Sequence, residues 1–452
     1  MKILVAGNGN VGKTLVAQLS AEGYELTLID TDAQLLEESV EKFDVMAVKG
    51  NCASMETLKE AGVEGADLLI ACTGMDELNL LCCMTAHVMN PDIHTIARIR
   101  NPEYTEQAYA MRSSFGLSMI FNPERQAAVE IERLLKFPGF LKRDSFAKGR
   151  VEIVELGVSA DSKLCGVALS SLNAIVKCKV LVCTVLRGGE SIMPDGNFVL
   201  AAGDKIFVTA PSENLSKLLK NLGIVKHKVR RVMLAGGGMI AHYLAESLVK
   251  QKIDVQIVES DLERCRTLAS LVSEASIVHG DAGNQTLLER EGLSACDALV
   301  TLTGFDEKNM VISLYGKSCD VPQVITMLGS VEDARVTDSL PLGSIICPRK
   351  LCCNNIVRYV RAMQNQAGAA TTIHTIADGQ AEAIEFPIDG STLHCGEPLK
   401  KIKLKKNILV VGITRRGRTE IPNGDSSFEV GDSVVIVVNR DDVILQINDI
   451  FE

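Results

Sequence analysis

The stretch from Met1 to Asp32 constrains the fold more than any other part of the chain. A short apolar run, Ile3 to Ala6, ends at Gly7. Apolar residues at helical spacing follow, and then a second apolar run that ends in Asp30. A strand, a glycine turn, a helix, a strand and an acid in this order are the signature of a dinucleotide-binding βαβ unit. The stretch therefore predicts a Rossmann-like domain with a parallel sheet.

The glycines and the acid of this stretch each have a physical role in that fold. Gly7 makes the tight turn out of the strand, Gly9 lets a pyrophosphate approach the backbone, and Gly12 lets the helix pack closely on the strand. The free N–H groups at the helix start face the phosphates, and Asp30 can accept hydrogen bonds from ribose hydroxyls. The candidate ligand-binding residues of this first stretch are Gly7, Asn8, Gly9, Asn10, Val11, Gly12 and Asp30.

The same letters also satisfy the P-loop pattern, because Gly12 is followed by Lys13 and Thr14. In a P-loop the lysine reaches the β- and γ-phosphates, and the threonine holds Mg²⁺. The two motifs predict different proteins, one that binds a dinucleotide and one that hydrolyses a nucleoside triphosphate. The choice between them depends on another part of the chain.

The chain repeats itself at a shift of about 230 residues, which indicates a duplicated module rather than a solenoid. The apolar run Val232 to Ala235 is followed by a second glycine turn and, after the same spacing, by the acid Glu259. The second copy has His242 in place of Lys13, so the two copies share the dinucleotide pattern and not the P-loop pattern. The candidate ligand-binding residues of this second stretch are Gly236, Gly238, Met239, Ile240 and Glu259.

Further residues recur where the third and fourth strands of each copy are expected to end, at the crevice where a parallel sheet binds its ligand. Asp281 could accept a hydrogen bond from an adenine amino group, whereas Asn51 would need its carbonyl oxygen turned that way. Asp76 and Asp306 either cap the next helix or contact the ligand. The candidate residues at these strand ends are Asn51, Cys52, Thr73 and Gly74 in the first copy and Asp281, Ala282, Thr303 and Gly304 in the second.

Charge distinguishes the two expected sites. Arg98 and Arg100 alternate at the end of the fifth strand of the first copy, whereas the second copy reads Val324 to Leu328 there. A guanidinium can hold a phosphate bidentately, so an arginine that faces the ligand would give only the first site this charge. Solvent-facing arginines are the alternative. The acids Asp30 and Glu259 would repel a 2′-phosphate, which favours NAD(H) or an adenine nucleotide over NADP(H).

Each Rossmann unit is followed by an amphipathic helix and then by short β-rich runs with turn residues. The helices are predicted over residues 123–137 and 348–363, and each either packs on its own sheet or crosses to a partner subdomain. The predicted fold class is α/β, with two doubly wound parallel-sheet domains, each followed by a small α+β, β-rich subdomain. The predicted modules are residues 1–136, 148–226, 229–363 and 372–452.

Composition narrows the class of protein. The formal net charge is −10 and there is no basic stripe with interleaved aromatics, so no nucleic-acid partner is expected. No apolar run reaches the ~18–20 residues that span a bilayer, and Met1 leads straight into a strand, so we expect a cytosolic protein without a signal peptide. The 14 cysteines include no C-x-x-C pair, which favours buried thiols in a reducing compartment over zinc sites or disulfides.

The order of these motifs, repeated twice, resembles the TrkA family, the cytosolic nucleotide-binding subunits of Trk potassium uptake systems. Members are built of tandem RCK (regulator of K⁺ conductance) domains, each a TrkA-N unit followed by a TrkA-C unit. The resemblance implies NAD(H) or ATP, ADP or AMP as regulatory ligand. It also implies crossover helices that form dimers, and a tetrameric ring attached to the inner face of the plasma membrane, beneath a Trk-type potassium-translocating subunit.

The resemblance also implies which residues bind the ligand. Asn51 departs from the aspartate that is usual in the family. Asn10 stands where many relatives have a basic residue in the glycine loop, which leaves phosphate neutralisation to Arg98 or Lys13. The residues at the family's ligand positions are Gly7, Gly9, Gly12, Asp30, Asn51, Thr73 and Arg98 in the first unit and Gly236, Gly238, Glu259, Asp281 and Thr303 in the second.

Three functions are compatible with a Rossmann unit of this kind. The first is a sensor without enzymatic activity, in which a nucleotide favours one arrangement of the ring and thereby gates potassium flux. The second is an NAD-dependent oxidoreductase, which needs a proton-transfer group over the nicotinamide; none of the seven histidines recurs between the copies. The third is a P-loop ATPase, which the second copy disfavours. The sequence favours the sensor.

Overall fold

The computed structural model divides the chain into two compact units. Unit 1 comprises Met1–Val129 and Cys347–Tyr359, and unit 2 comprises Glu130–Ile346 and Val360–Glu452. The division into four modules stays a prediction. The residues that the structure describes are 1–136, 142–223, 229–329, 340–363, 370–377, 380–439, 444 and 446–452.

Unit 1 contains a parallel sheet of six strands. Its strands are β1 (Lys2–Ala6), β2 (Glu25–Asp30), β3 (Met46–Lys49), β4 (Leu68–Ala71), β5 (His94–Arg98) and β6 (Met119–Phe121). Their order, β3-β2-β1-β4-β5-β6, is that of a dinucleotide-binding domain and confirms the predicted fold class. The central strands β1 and β4 are apolar and buried, as expected for a sheet that is covered on both faces.

Two helices of the first Rossmann unit, α2 and α5, begin at capping residues that the sequence supplies. Asp32 accepts hydrogen bonds from the backbone N–H groups of Gln34 and Leu35, and Asn101 accepts one from Glu103. The helices are α1 (Asn10–Ala21), α2 (Ala33–Lys42), α3 (Met55–Glu60), α4 (Asp76–Met89), α5 (Pro102–Ala110) and α6 (Pro123–Lys136). Residue 137, the predicted end of α6, lies outside the described residues.

An antiparallel sheet follows in unit 2. Its elements are β7 (Lys142–Phe146), β8 (Val151–Gly157), α7 (Leu169–Val176), β9 (Leu181–Arg187), β10 (Glu190–Ile192), β11 (Lys205–Thr209) and α8 (Ser212–Leu222). The strand order is β10-β9-β11-β8-β7. This arrangement of strands and two helices confirms the small α+β subdomain.

The second Rossmann sheet repeats the strand order of the first. Its strands are β12 (Arg231–Ala235), β13 (Asp254–Glu259), β14 (Ser276–His279), β15 (Ala298–Thr301), β16 (Gln323–Met327) and β17 (Ser344–Ile346). Its helices are α9 (Met239–Lys250), α10 (Leu262–Leu271), α11 (Gln285–Arg290), α12 (Asp306–Ser318) and α13 (Pro348–Met363). The order β14-β13-β12-β15-β16-β17 again reverses beside the first strand of the copy.

The last module contains a second antiparallel sheet. Its strands are β18 (Thr372–Ile376), β19 (Ala381–Pro387), β20 (Ile408–Arg415), β21 (Arg418–Glu420) and β22 (Ser433–Asn439), in the order β18-β19-β22-β20-β21. The two antiparallel sheets share one apolar cluster, to which Phe146 and Phe207 contribute from the first sheet and Val411 and Val435 from the second. The two β-rich subdomains therefore have a common hydrophobic core.

The repeated Gly-Asp pair of these subdomains has a structural role. Asp204 is buried, and the Arg187 guanidinium donates to both of its carboxylate oxygens at 2.7 Å. These hydrogen bonds lower the pKa of Asp204. Asp432 is held in the same way by Arg415, at 2.9 and 2.8 Å. A buried carboxylate with a bidentate arginine fixes the turn before the last long strand of each sheet.

Helix α13 crosses to the first Rossmann unit. Its stretch Pro348–Tyr359 belongs to unit 1, where the Cys353 thiol lies 3.8 Å from the carbonyl oxygen of Val11 on α1. Farther along the helix, the Tyr359 hydroxyl lies 3.1 Å from the ring of His94 on β5. The sequence left open whether this helix packs on its own sheet, and these contacts show that its first three turns do not.

Helix α6 crosses in the opposite sense. It begins in unit 1, but from Glu130 onward it belongs to unit 2. There the Glu132 carboxylate accepts hydrogen bonds from Ser247 and Gln251 of α9, at 2.6 and 2.9 Å. Gln323 of β16 donates to the carbonyl oxygen of Leu134 at 2.9 Å. The end of α6 is thus hydrogen-bonded to the second Rossmann unit.

No helix in the described part of the chain combines the length and the apolar character that a membrane crossing requires.

The crossing of α13 predicts that a substitution late in the sequence weakens the first sheet. Ile356 is fully buried in the part of α13 that belongs to unit 1. We expect Ile356→Ala to lower the free energy of unfolding by about 2–5 kcal/mol and to speed amide hydrogen exchange in β1. Val311→Ala, at a side chain that is 57% exposed, serves as the control. Unchanged exchange in β1, with faster exchange in β12 alone, would contradict the crossing.

Candidate functional site

The first glycine turn brings helix α1 very close to strand β1. Gly7 has φ of +98°, and a Cβ there would lie 2.9 Å from the backbone nitrogen of Thr73. A Cβ on Gly12 would lie 2.0 Å from the carbonyl oxygen of Gly7. Gly9, in contrast, faces open space, with no atom within 4 Å of a Cβ built there. The turn therefore combines two positions closed to any side chain with one position open toward a ligand.

The second glycine turn has the same geometry. Gly236 has φ of +115° and packs against the backbone of Leu302, and Gly238 faces open space. Both turns lead directly into a helix of 12 residues, α1 or α9, whose first N–H groups have no partner within the helix. Open glycines at two helix starts are suited to phosphate groups.

The acid at the end of the second strand of each copy is hydrogen-bonded to the glycine turn. The Asp30 carboxylate accepts hydrogen bonds from the backbone N–H groups of Asn8, at 2.6 Å, and Asp32, at 3.0 Å. Glu259 accepts from Gly237 at 2.6 Å and from Asp261 at 2.8 Å. Oε1 of Glu259 also accepts from the Ser260 hydroxyl at 3.2 Å. Both oxygens of Asp30 and Oε2 of Glu259 keep a further lone pair, so these acids retain the capacity to accept ribose hydroxyls.

The longer acid of the second copy requires a glycine beside it. A Cβ on Gly237 would lie 2.9 Å from a Glu259 carboxylate oxygen and 2.7 Å from the Leu268 side chain. The first copy, with the shorter Asp30, has room for Asn8, whose side-chain amide donates to the Ser39 hydroxyl at 2.9 Å. The two positions therefore change together between the copies: the shorter acid Asp30 stands beside Asn8, and the longer acid Glu259 stands beside Gly237.

A buried asparagine ties the ends of the fourth and fifth strands together. The Asn79 side-chain oxygen accepts from the backbone N–H and the hydroxyl of Thr73, at 2.8 and 2.7 Å, and its amide donates to the carbonyl oxygen of Arg98 at 2.9 Å. Asn309 does the same for Thr303, at 2.9 and 2.7 Å. This asparagine is the last residue of the repeated T-G-x-D-E-x-N pattern, and its repetition was the signal of its role.

The capping interpretation of Asp76 and Asp306 is wrong. The residue before each helix, Met75 or Phe305, occupies the cap position, and neither helix start has a side-chain cap. The Asp76 carboxylate instead accepts from the backbone N–H groups of Arg100 and Asn101, both at 2.8 Å. Asp306 accepts from Gly329 at 2.7 Å. Both aspartates position the loop after the fifth strand.

Both cations proposed for the first site are paired with carboxylates. Arg98 lies 3.0 Å from Glu124, and its side chain is only 16% exposed, so the solvent-facing interpretation of Arg98 is wrong. One nitrogen of Arg98 and one oxygen of Glu124 are buried with no hydrogen-bond partner in the described part of the chain. Lys13 lies 2.6 Å from Glu38 and lowers the pKa of that carboxyl. Arg98 therefore forms a buried but incompletely satisfied ion pair.

The neighbouring Arg100 is also engaged within the first unit. Its guanidinium donates to the carbonyl oxygen of Gly74 and lies 3.5 Å from Asp76. Its side chain is 37% exposed. The partly exposed Arg100 side chain thus stabilises the candidate Thr73-Gly74 turn through its hydrogen bond to Gly74.

The second copy has a guanidinium beside its glycine turn that the comparison of the fifth strands did not predict. Arg264, on the first turn of α10, donates from Nε to the carbonyl oxygen of Gly237 at 2.7 Å. Another of its nitrogens lies 3.9 Å from the sulfur of Met239. The only sequence signal was an arginine five positions after Glu259, on a helix whose approach to the glycine turn is not visible in sequence.

The two strand ends expected to bind adenine differ in charge. Asp281 lies 2.5 Å from Lys308, which lowers the pKa of the Asp281 carboxyl. At the equivalent place in the first copy the Asn51 side-chain oxygen accepts from the backbone N–H of Ala53 at 3.0 Å. Each of these oxygens accepts from a neighbour within its own copy, and the contact with an adenine amino group stays a prediction.

The candidate residues Cys52 and Ala282 lie beneath the sites. Both are buried, and a hydrogen bond with Cys82 lowers the pKa of the Cys52 thiol. The Cys72 thiol lies 3.3 Å from the carbonyl oxygen of Gly7, and burial raises its pKa to about 12. Cys347 is partly exposed, unlike the buried thiols that the sequence favours. Within the described ranges the cysteines form no disulfide, and no group of three or more His, Cys, Asp or Glu side chains could hold a metal ion.

The packing at the glycine turn predicts a sharp difference between two glycines. We expect Gly12→Ala to lower the free energy of unfolding by about 1–3 kcal/mol, because its Cβ would overlap the Gly7 carbonyl oxygen. Gly9→Ala should stay within about 0.5 kcal/mol of the unaltered protein, because that position is open. Urea unfolding of the two variants measures the difference. Equal loss of stability in both would contradict the packing.

Comparison with family models matches nearly all of the chain. The TrkA-N domain matches residues 3–123 and 232–348, and the TrkA-C domain matches residues 153–223 and 384–451. Among solved structures, the RCK domain of GsuK has a TM-score of 0.62 at 14% identity and covers 97% of this chain and 92% of its own. The GsuK channel bound to NAD has a TM-score of 0.61 at 15% identity, with 97% and 77% coverage. These structures share the fold.

Curated relatives match over their whole length. The Trk system potassium uptake protein TrkA homolog of Archaeoglobus fulgidus is 31% identical over 443 residues, which is 98% of this chain and 98% of that protein. The Trk system potassium uptake protein TrkA of Halomonas elongata is 30% identical over 443 residues, with 97% and 96% coverage. The chain therefore belongs to the TrkA family of Trk potassium uptake proteins, with tandem TrkA-N and TrkA-C domains.

Proposed function

We propose that this chain is a regulatory nucleotide-binding subunit that gates a Trk-type membrane potassium transporter. The observation that carries the proposal is the pair of open glycine turns, at Gly9 and Gly238, each with an acid fastened beside it. The relatives named as Trk potassium uptake proteins and the NAD-bound GsuK channel support it. The ligand is NAD(H) or an adenine nucleotide, ATP, ADP or AMP.

The proposed assembly follows the family. The chain forms a homo-oligomer, from a dimer up to a tetrameric ring, in the cytoplasm and attached peripherally to the inner face of the plasma membrane. There it contacts the integral-membrane potassium-translocating subunit. The crossing of α6 and α13 within one chain supports this assembly, because the helix exchange that the family uses to form dimers is present here between the two copies.

The contacts of Lys13 and Thr14 argue against a P-loop function. Lys13 is paired with Glu38, and the Thr14 hydroxyl donates to the carbonyl oxygen of Asn10 at 2.8 Å. A P-loop would need the amine at the phosphates and the hydroxyl at Mg²⁺. We propose that the chain binds nucleotides without hydrolysing them. The alternative is an NAD-dependent oxidoreductase. Turnover of the nicotinamide cofactor in an assay with a wide range of substrates would support it.

The ion pair of Arg98 and Glu124 offers a route from the first site to helix α6. Glu124 lies in the first turn of α6, and Glu132, at the other end, is hydrogen-bonded to Ser247 of α9. A phosphate that attracts Arg98 would compete with Glu124 for the guanidinium. A ligand that binds more tightly when this pair is open shifts the position of α6, which is the differential affinity that a gate requires.

The open glycines predict ligand loss without unfolding. We expect Gly9→Asp and Gly238→Asp each to remove one bound nucleotide per chain, because a carboxylate there would occupy and repel the phosphate position. Gly65→Asp, at another open glycine away from the strand ends, should bind normally. Calorimetric titration with NADH and ADP measures the stoichiometry.

The same variants test the gating function when the chain is reconstituted with its membrane partner. Potassium flux should respond to nucleotide in the unaltered complex and in Gly65→Asp, and the response should be reduced in Gly9→Asp. Intact binding without a flux response to any adenine nucleotide would contradict the proposed function.

Removal of the carboxylate partner of Arg98 should strengthen the first site. We expect Glu124→Gln to raise the affinity of that site for a polyphosphate by about three- to tenfold, equivalent to about 0.7–1.4 kcal/mol, because Arg98 no longer has to leave an ion pair. Glu130→Gln removes the same charge from the same helix, where Glu130 pairs with Arg133 at 3.4 Å, and is the control. Equal affinities of the two variants for ATP would show that Arg98 does not move from Glu124 to the phosphate.

A further inference from the structure

The second site contains a guanidinium directed at its own glycine turn. Arg264 donates to the carbonyl oxygen of Gly237 at 2.7 Å and lies 3.9 Å from the sulfur of Met239, the first residue of α9. The next residue of the turn, Gly238, faces open space. The guanidinium is therefore beside the unpartnered N–H groups at the start of α9, the part of a Rossmann unit that faces phosphate.

Arg264 differs from the other cations near the two turns in that it has no counter-charge among the residues that the structure describes. Within the described residues, no carboxylate lies within ion-pairing distance of its guanidinium, although the side chain is half-buried. Arg266, on the same helix, pairs with Glu263 at 2.5 Å, and Lys13 of the first site pairs with Glu38 at 2.6 Å. A partly desolvated cation without a carboxylate partner gains more from an incoming anion than one that must first leave an ion pair.

The histidine next to this guanidinium does not add a second charge. His242, on the first turns of α9, is buried, and burial lowers its pKa; the nearby Glu246 acts in the opposite direction, and the positive charge of Arg264 reinforces the lowering. A neutral His242 neither repels Arg264 nor competes with it for an anion. The positive charge at the start of α9 therefore belongs to Arg264.

The copies place their guanidinium on opposite sides of the glycine turn. In the first site Arg98 lies at the end of β5, beyond β4, and Leu35 stands at the position of Arg264. In the second site Arg264 follows β13, on the side of the acid Glu259, and Met327 stands at the position of Arg98. The acid side of a Rossmann crevice holds the adenosine, so Arg264 is close to the one or two phosphates at the 5′ end of that adenosine.

We propose that Arg264 is the phosphate-binding side chain of the second site and that this site takes AMP or ADP in preference to NAD(H). The inference rests on the proposed nucleotide-binding function and adds the ligand class of one site. A terminal phosphate has nearly two negative charges at neutral pH and three acceptor oxygens, whereas each phosphorus of a dinucleotide has one charge and no terminal group. The unpaired guanidinium favours the terminal phosphate.

The test uses the full chain with the first site closed by Gly9→Asp, so that only the second site titrates. In this background AMP and ADP should bind more tightly than NAD⁺ in calorimetric titrations. Adding Arg264→Gln should lower the affinity for AMP and ADP by about tenfold or more. Arg264→Lys, which keeps the charge but loses the paired N–H donors of the guanidinium, should give an intermediate loss of affinity. Arg266→Gln removes the same charge from the same helix and should leave the affinity unchanged.

Each outcome of the titration decides one statement. Equal affinities of Arg264→Gln and Arg266→Gln for AMP would overturn the role of Arg264. Tighter binding of NAD⁺ than of AMP and ADP would overturn the ligand class. Failure of the unaltered chain to bind any adenine nucleotide would overturn the proposed function itself, which separates the two failures. Thermal melting without ligand shows that the variants are folded, and Arg264→Lys provides the comparison if Arg264→Gln is not.

Discussion

The structure depends above all on the crossing of the two long connecting helices. The first part of α13 packs within the unit of the first sheet, where Cys353 and Ile356 are fully buried, and the end of α6 is hydrogen-bonded to Gln323 of the second sheet. Neither copy therefore contains, within its own stretch of sequence, all the residues that cover its sheet. The packing of each sheet therefore depends on a helix segment that the other copy supplies.

The sites are built from backbone groups held by a few side chains. Asp30 and Glu259 are tied to the N–H groups of the glycine turns, and Asn79 ties Thr73 to the end of β5. Because these side chains are held by hydrogen bonds within the protein, the open position at Gly9 lies on a fixed turn. A ligand would meet a rigid turn on one side and an ion pair with an unsatisfied nitrogen, that of Arg98, on the other. Of these two sides, only the ion pair of Arg98 and Glu124 can rearrange when a phosphate binds.

The sequence was sufficient for whatever depends on spacing along the chain. The two doubly wound parallel sheets, the two glycine turns and the bounds of α13 follow from apolar periodicity and from glycines at fixed intervals. It was insufficient for contacts made through space. The pairing of Arg98 with Glu124, the approach of Arg264 to Gly237 and the direction in which α6 crosses all join residues whose distance depends on packing between helices. No periodicity specifies such pairs.

A duplication within one chain permits contacts that a symmetric dimer of identical chains cannot form. Asp144 on β7 and His374 on β18 occupy equivalent positions of the two copies, and they lie 3.1 Å from each other. In a symmetric dimer the same contact would join two aspartates or two histidines, and like charges at that distance repel. Fusion removes this restriction, because each copy can change without its partner. The copies also differ near the glycine turns, where Leu35 corresponds to Arg264 and Arg98 corresponds to Met327.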